Sequence, residues 1–262
     1  MAMDRPASPR PSGTGSASAH ALLRGLLKTL PEAQRDELDG LARLRDIAEG
    51  TALVREGERY RTVGYILSGA LGMQKTLPDG RLHVIGLLVQ HDMFGRLFDG
   101  PSGFDLVALA PAHLLEFDRD AFESFVARHP EAQQLLLTRI LDEIDTAREW
   151  LLLMSGHKVV ERVAAFLLIL FRRALRQPGQ AGDRRVRIAL PVRRVDLAHY
   201  LGTRPESLSR ALHDLQRAGA IHLVDPNTFE VIGLRALVDA AGSDLLLSGA
   251  GGDPRVAGPG GR

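Results

Sequence analysis

The stretch LAHYLGTRPESLSRALHDLQRAGAI, residues 197–221, decides the reading of this chain. Leu197, Ala198 and Leu201 give a first short helix an apolar stripe, and Gly202 permits a tight turn. Leu208, Ala211, Leu212 and Leu215 then line one side of a second helix. Glu206, Ser209, Arg210 and His213 point away from that side, so the opposite face is free to enter a groove of DNA. Pro205 suits a first helical turn, whereas Arg204 stands where a capping Ser or Thr is usual, so Thr203 is the expected cap.

Toward the C-terminus, Ile221 to Val224 and Phe229 to Ile232 flank the turn Asp225-Pro226-Asn227-Thr228, which reads as a hairpin. A hairpin directly behind a helix-turn-helix is a wing, and a last helix, Leu234 to Ala241, closes the small domain. Toward the N-terminus, Val186 to Leu190 alternates like a strand that Pro191 ends. It follows a polar loop, QPGQAGD at 177–183, an apolar helix from Lys158 to about Arg176, and a hinge at Gly156.

Before that hinge lies a long helix from Pro130 to about Met154. Leu137, Ile140, Ile144, Ala147, Leu151 and Met154 alternate spacings of three and four, the a/d seam of a coiled coil, so a parallel homodimer is expected. Leu136, Leu141, Trp150 and Leu152 widen the stripe, and the competing reading is a helix packed only on its own domain. Between Thr51 and Phe117, short apolar runs (51–54, 63–67, 70–75, 82–89, 106–110, 113–117) are broken by turns such as Glu56-Gly57, Ser68-Gly69 and Pro78-Asp79-Gly80. Such spacing predicts a β-sandwich or small barrel, and a jelly roll is the expected form. Helices are expected over Asp118 to Arg128, Ala21 to Leu30 and Glu32 to Leu41. The class is α+β, with tails at 1–19 and 243–262 whose Pro, Ser and Gly content predicts disorder. The expected domains are a β-roll over 20–128, the dimer helix over 129–155 and a winged helix over 156–242.

Net charge is only +1, but it is unevenly spread. Residues 21–154 hold 15 basic against 21 acidic side chains, and residues 155–240 hold 14 against 8. The basic half contains the helix pair, as phosphate contact requires, although a chance excess of surface arginine gives the same count. No cysteine is present, which excludes disulfides, thiolate zinc sites and cysteine-ligated iron–sulfur clusters. No apolar run has the length of a membrane span and no signal-peptide core opens the chain, so a cytoplasmic location without membrane partners is expected.

This order of β-roll, long helix, hinge and winged helix resembles the Crp/Fnr superfamily of bacterial transcription regulators over about residues 21–240. The carriers are the helix pair, ERVAAFLLIL at 161–170, and the ILSGAL and HDMFG segments of the roll. The roll then corresponds to a cyclic-nucleotide-binding-like domain. Glu206-Ser207-Leu208-Ser209-Arg210 is similar to the E-x-x-S-R pattern of the Fnr, FixK and Dnr branch. The resemblance implies Arg210 on guanine, Glu206 on a cytosine amine, Ser209 on a thymine, and a palindromic TTGAT-type site. Arg pairs bidentately with guanine and a carboxylate accepts from cytosine N4, so the residue types agree. Glu206 and Arg210, at i and i+4, also have the spacing of a simple surface ion pair. Thr203, Arg204, Ser207 and His213 are candidate phosphate contacts.

In the roll, the Gly-Glu-Leu segment of cyclic-nucleotide binders is replaced by Gly95-Arg96-Leu97, and no Arg-Ser or Arg-Thr pair follows through Asp105. Cyclic AMP is therefore not expected, because a buried phosphate needs charge-assisted partners. Arg96 suits another anion, such as a carboxylate effector, or is a surface arginine. What remains resembles the cluster-free relatives: FixK-like regulators set by abundance, needing no cofactor, or Dnr-like sensors of nitric oxide through haem. Haem needs an axial ligand, and His20, His83, His91 and His113 lie in the first half. The expected partners are double-stranded DNA, RNA polymerase and a second copy of the chain, with a small-molecule effector as a further partner of the roll. Activation is expected by family habit. Two other classes stay in view: a cupin-type enzyme, though His83 lacks the His-x-His pattern, and a winged helix that binds protein only.

Overall fold

Two four-stranded antiparallel sheets form the N-terminal half of the computed structural model. Residues 29–98, 100–154, 158–175, 187–190 and 192–242 are described. The two tails, most of the helix expected from Ala21, the hinge at Gly156 and the loop at 177–183 lie outside them. The chain divides into two compact units: Met1–Lys75 with Leu87–Leu136, and Thr76–Gly86 with Leu137–Arg262.

In the N-terminal half, helix α1 (Glu32–Leu41) precedes strands β1 (Arg43–Ile47), β2 (Ala52–Val54), β3 (Thr62–Ser68), β4 (Leu71–Thr76), β5 (Leu82–Leu88), β6 (Met93–Phe94), β7 (Asp105–Ala108) and β8 (Ala112–Asp118). One sheet has the order β1-β8-β3-β6 and the other β2-β7-β4-β5. Strands β3 and β8 are buried on both faces. Because side chains alternate, Ile66 and Leu114 face Leu71, Phe94 and Leu106 in the core between the sheets. Val63, Tyr65, Leu115 and Phe117 face the other way, against Leu38, Phe122 and Phe125 of the helices. The jelly-roll expectation thus meets a two-sheet sandwich, but β1 and β6 were not expected. In RLRDI only Ile47 is buried, so this edge strand carries almost no apolar alternation. Strand β6 is two residues long and lies just past a turn.

Helix α2 (Arg119–Arg128) starts at Asp118, whose carboxylate caps it by accepting from the Ala121 N–H at 3.1 Å. Helix α3 (Pro130–Met154) follows after one residue. Its junction is tied to α1 by polar contacts: Glu37 pairs with Arg128 and, at 2.8 Å, with His129, while Gln34 donates to Glu131 at 3.1 Å. The His129 hydrogen bond, then that of Arg128, holds the Glu37 carboxyl below the usual carboxylate range.

Along α3, Leu136 packs against the roll core. Leu137 (58% exposed), Ile140 (42%), Ile144 (41%) and Leu151 (71%) do not, and Ala147 is exposed with them. Met154 ends the helix, with its side chain outside the described residues, as are those of Trp150 and Leu152. No helix among the described residues is long and apolar enough to cross a membrane.

The second unit is built on helix α4 (Val159–Leu175), in which Val163 through Leu168 are all buried. Around it lie β9 (Arg187–Ala189), α5 (Arg194–Tyr200), α6 (Pro205–Arg217), β10 (Ile221–Asp225), β11 (Thr228–Val231) and α7 (Leu234–Ala241). The strands form one sheet in the order β10-β11-β9, so the expected two-stranded wing gains a third strand.

Candidate nucleic-acid interface

Helix α5 ends as the sequence predicts: Gly202 adopts φ +59°, and the Thr203 N–H donates to Ala198 O at 2.9 Å across the turn. The turn is held from below by a residue the sequence reading did not single out. Arg162 of α4 donates through Nε to Leu201 O at 3.1 Å and through a terminal nitrogen to Gly202 O at 3.3 Å. These carbonyls at the end of α5 lie beyond the regular helix, and the planar guanidinium satisfies both at once. The available signal was an arginine directly before the apolar run VAAFLLIL at 163–170. At the other end of α5, buried Asp196 takes a two-pronged contact from Arg193, at 2.8 and 3.3 Å.

Helix α6 buries Leu208, Ala211, Leu212 and Leu215, the four positions expected. Its N-cap is Arg204, whose side chain makes no capping hydrogen bond, so the cap position is not at Thr203, where the sequence suggested it. Thr203 lies one residue too early: the extended conformation of Arg204, φ −95° and ψ 151°, puts the cap position there. The first backbone N–H groups of α6 therefore lack a side-chain cap from that residue and keep their positive potential.

Opposite the buried stripe, Glu206, Arg210 and His213 are exposed, and Ser209, Ser207 and Thr203 are half-buried. The structure thus brings the three expected base readers onto one face, with Arg204 exposed beside them. The surface-pair alternative fails on geometry, since the Arg210 guanidinium donates to Ser207 Oγ at 3.3 Å rather than to the Glu206 carboxylate. His213 Nδ1 lies 2.7 Å from Ser209 O. The wing is joined to this helix by the Leu223 N–H, which donates to Gln216 Oε1 at 3.2 Å. Across the wing, Arg187 bonds the nearly buried Glu230 carboxylate at 2.8 Å. Its turn is set by Asp225, which accepts from the Asn227 N–H at 2.8 Å, the bond that holds its carboxyl below the ordinary range.

The roll residues Gly95, Arg96 and Leu97 do not converge on a common point. Gly95 has φ +101°, and a Cβ there would lie 2.9 Å from Thr62 O, so the backbone passes close to β3. Leu97 packs toward the core, whereas Arg96 is exposed with its guanidinium against Gly100. Buried Ser102 donates its hydroxyl to Phe104 O at 2.6 Å and lies 3.4 Å from the Tyr60 hydroxyl, so its polar atom is engaged within the roll. Among the described histidines, His113 pairs with Asp46, His83 is exposed, and His91 is half-buried with burial pushing its imidazole down. His20 lies outside the described residues. No group of three or more His, Cys, Asp or Glu side chains among the described residues could hold a metal ion.

Two family models match the chain: the Crp-like helix-turn-helix domain over residues 161–240 and the cyclic nucleotide-binding domain over residues 44–129. The transcriptional activator protein FnrL of Cereibacter sphaeroides is 30% identical over 207 residues, which cover 79% of this chain and 84% of that protein. The chain belongs to the Crp/Fnr superfamily. Within it, the chain falls in the FixK-like branch. The nitrogen fixation regulation protein FixK of Bradyrhizobium diazoefficiens is 28% identical over 82% of this chain and 89% of its own. The solved structure of FixK2 from Bradyrhizobium japonicum superposes with a TM-score of 0.67 at 26% identity, covering 77% of this chain and 98% of that one. These superfamily relatives are named as transcription regulators, not enzymes.

Proposed function

We propose that this protein binds a palindromic TTGAT-type DNA site as a parallel homodimer and activates transcription there by contacting RNA polymerase. The observation that carries the reading is the face of α6 opposite its buried stripe, where Glu206, Ser209 and Arg210 stand together on a winged-helix frame. Arg210 pairs with guanine O6 and N7, Glu206 accepts from a cytosine amine, and Ser209 meets a thymine. Thr203, Arg204 and Ser207 surround the uncapped start of α6, where backbone N–H groups and a guanidinium suit phosphate oxygens and fix register without reading sequence. The heptad spacing of Leu137, Ile140, Ile144, Ala147, Leu151 and Met154, together with the exposure of the first five, supports the dimer. A palindrome then requires two recognition helices about 34 Å apart, one turn of DNA. Activation draws on the named activity of FnrL.

The reading needs neither an iron–sulfur cluster, for which no cysteine exists, nor cyclic AMP, since Arg96 stands where binders carry Glu. It is tested by measuring binding of purified protein, with no added ligand, to a TTGAT palindrome and to scrambled DNA. Equal affinity for the two would overturn it. A second reading, a haem-dependent nitric oxide sensor or another small-effector regulator of the same fold, would use His91, the half-buried member of the described candidate histidines, whose imidazole burial pushes down. Reconstitution with haem tests it: a Soret band at stoichiometric loading that H91A abolishes supports it, and no band removes it.

A further inference from the structure

The inference rests on the reading that α6 enters the major groove, and concerns His213, for which the sequence suggested a phosphate contact. Its Nδ1 lies 2.7 Å from Ser209 O. A backbone carbonyl only accepts, so Nδ1 carries a ring hydrogen, and when the ring holds that hydrogen alone the outward Nε2 is a bare acceptor. An acceptor facing a phosphate oxygen is repelled rather than bound. At about 100° per residue, His213 falls within about 20° of Glu206, two turns and about 10 Å further along the same line of the helix. That line is diametrically opposite the stripe of Leu208, Ala211, Leu212 and Leu215, so His213 stands at the centre of the exposed face. The next position along the line, Arg217, has its guanidinium on Asp214. The Ser209 bond also restricts the ring, so little side-chain freedom is lost on binding.

We propose that His213 is a base-reading residue that accepts, through Nε2, a hydrogen bond from the exocyclic amine of an adenine or cytosine in the major groove. Adenine N6 and cytosine N4 are the donors exposed there. The inference adds one read base pair to each half-site beyond those read by Glu206, Ser209 and Arg210.

The experiment selects binding sites from randomised duplexes at pH 8 with full-length wild-type protein, H213A, H213K and R210A. Thermal melts confirm that each variant is folded. Single-base affinity series and salt slopes follow on the winning site. H213A is expected to lose its preference at one A or C position, from about tenfold or more to near unity, with an unchanged salt slope. H213K is expected to lose the same preference. If H213A keeps every base preference, or loses affinity uniformly while its salt slope falls by about one, His213 reads no base. Wild-type protein that selects no sequence, and matches R210A, removes the DNA-reading assignment itself. Normal wild-type selection with an unchanged H213A profile removes only the role given to His213.

Discussion

Arg210 and Glu230 show how differently two charged side chains work in one small domain. Arg210 is exposed and leans on Ser207, so its guanidinium is oriented without being neutralised. Changing Arg210→Ala should cost about 1–3 kcal/mol of discrimination at its guanine while leaving the melting temperature unchanged. Equilibrium binding against all four bases at that position checks this. Glu230 is buried and pairs with Arg187 of the neighbouring strand. Arg187→Ala should remove this ion pair and its two hydrogen bonds and destabilise the winged helix by about 1–3 kcal/mol, read by urea unfolding. Residue identities at the reading face were legible because helical periodicity separates the two faces of α6 cleanly. The Arg162 clamp was not, because nothing in a linear sequence says that a guanidinium on one helix meets the carbonyls ending another 39 positions later.

Among the elements, the junction of α1, α2 and α3 has the clearest acid dependence. Glu37 is held ionised by His129 and Arg128, and Glu131 by Gln34, so both carboxyls titrate below their ordinary values in the folded state. A depressed carboxylate contributes stability above its unfolded pKa and loses it as pH falls through the folded value. Melting of the wild type should therefore fall below about pH 4.5, with a shallower fall for Glu37→Gln over the same window. Circular dichroism melts between pH 3 and 6 provide the measurement. Glu116 has the opposite sign: burial raises its carboxyl despite Arg45 at 3.2 Å, so its contribution is full at low pH and fades as pH rises through the folded value. Strands β1 and β6 escaped the sequence reading for reasons particular to each. RLRDI exposes four of its five residues, and MF is too short to show any period.

For the whole molecule, the exposed row Leu137, Ile140, Ile144 and Leu151 matters more than any single contact. Ile144→Asp should give monomers by sedimentation and lose palindrome binding, because one winged helix alone has half the contacts. A variant that stays dimeric would place the interface elsewhere. Inserting about 5 base pairs between half-sites should abolish binding, since it turns the second half-site to the opposite side of the duplex. Gel shifts with the spaced site decide that. The order of sheet sandwich, long helix and winged helix was readable from pattern alone. The arrangement of the expected Gly95, Arg96 and Leu97 pocket was not, because Arg96 turns back on Gly100 instead of joining Leu97 and Gly95 in a common recess.

That uncovered row on α3 also changes how such a regulator responds to its own supply. If the DNA-competent form is a pair, its abundance at low protomer levels follows the square of the amount synthesised, so doubling expression raises the binding form about fourfold. A promoter reading the pair then answers steeply to gene dosage and to proteolysis.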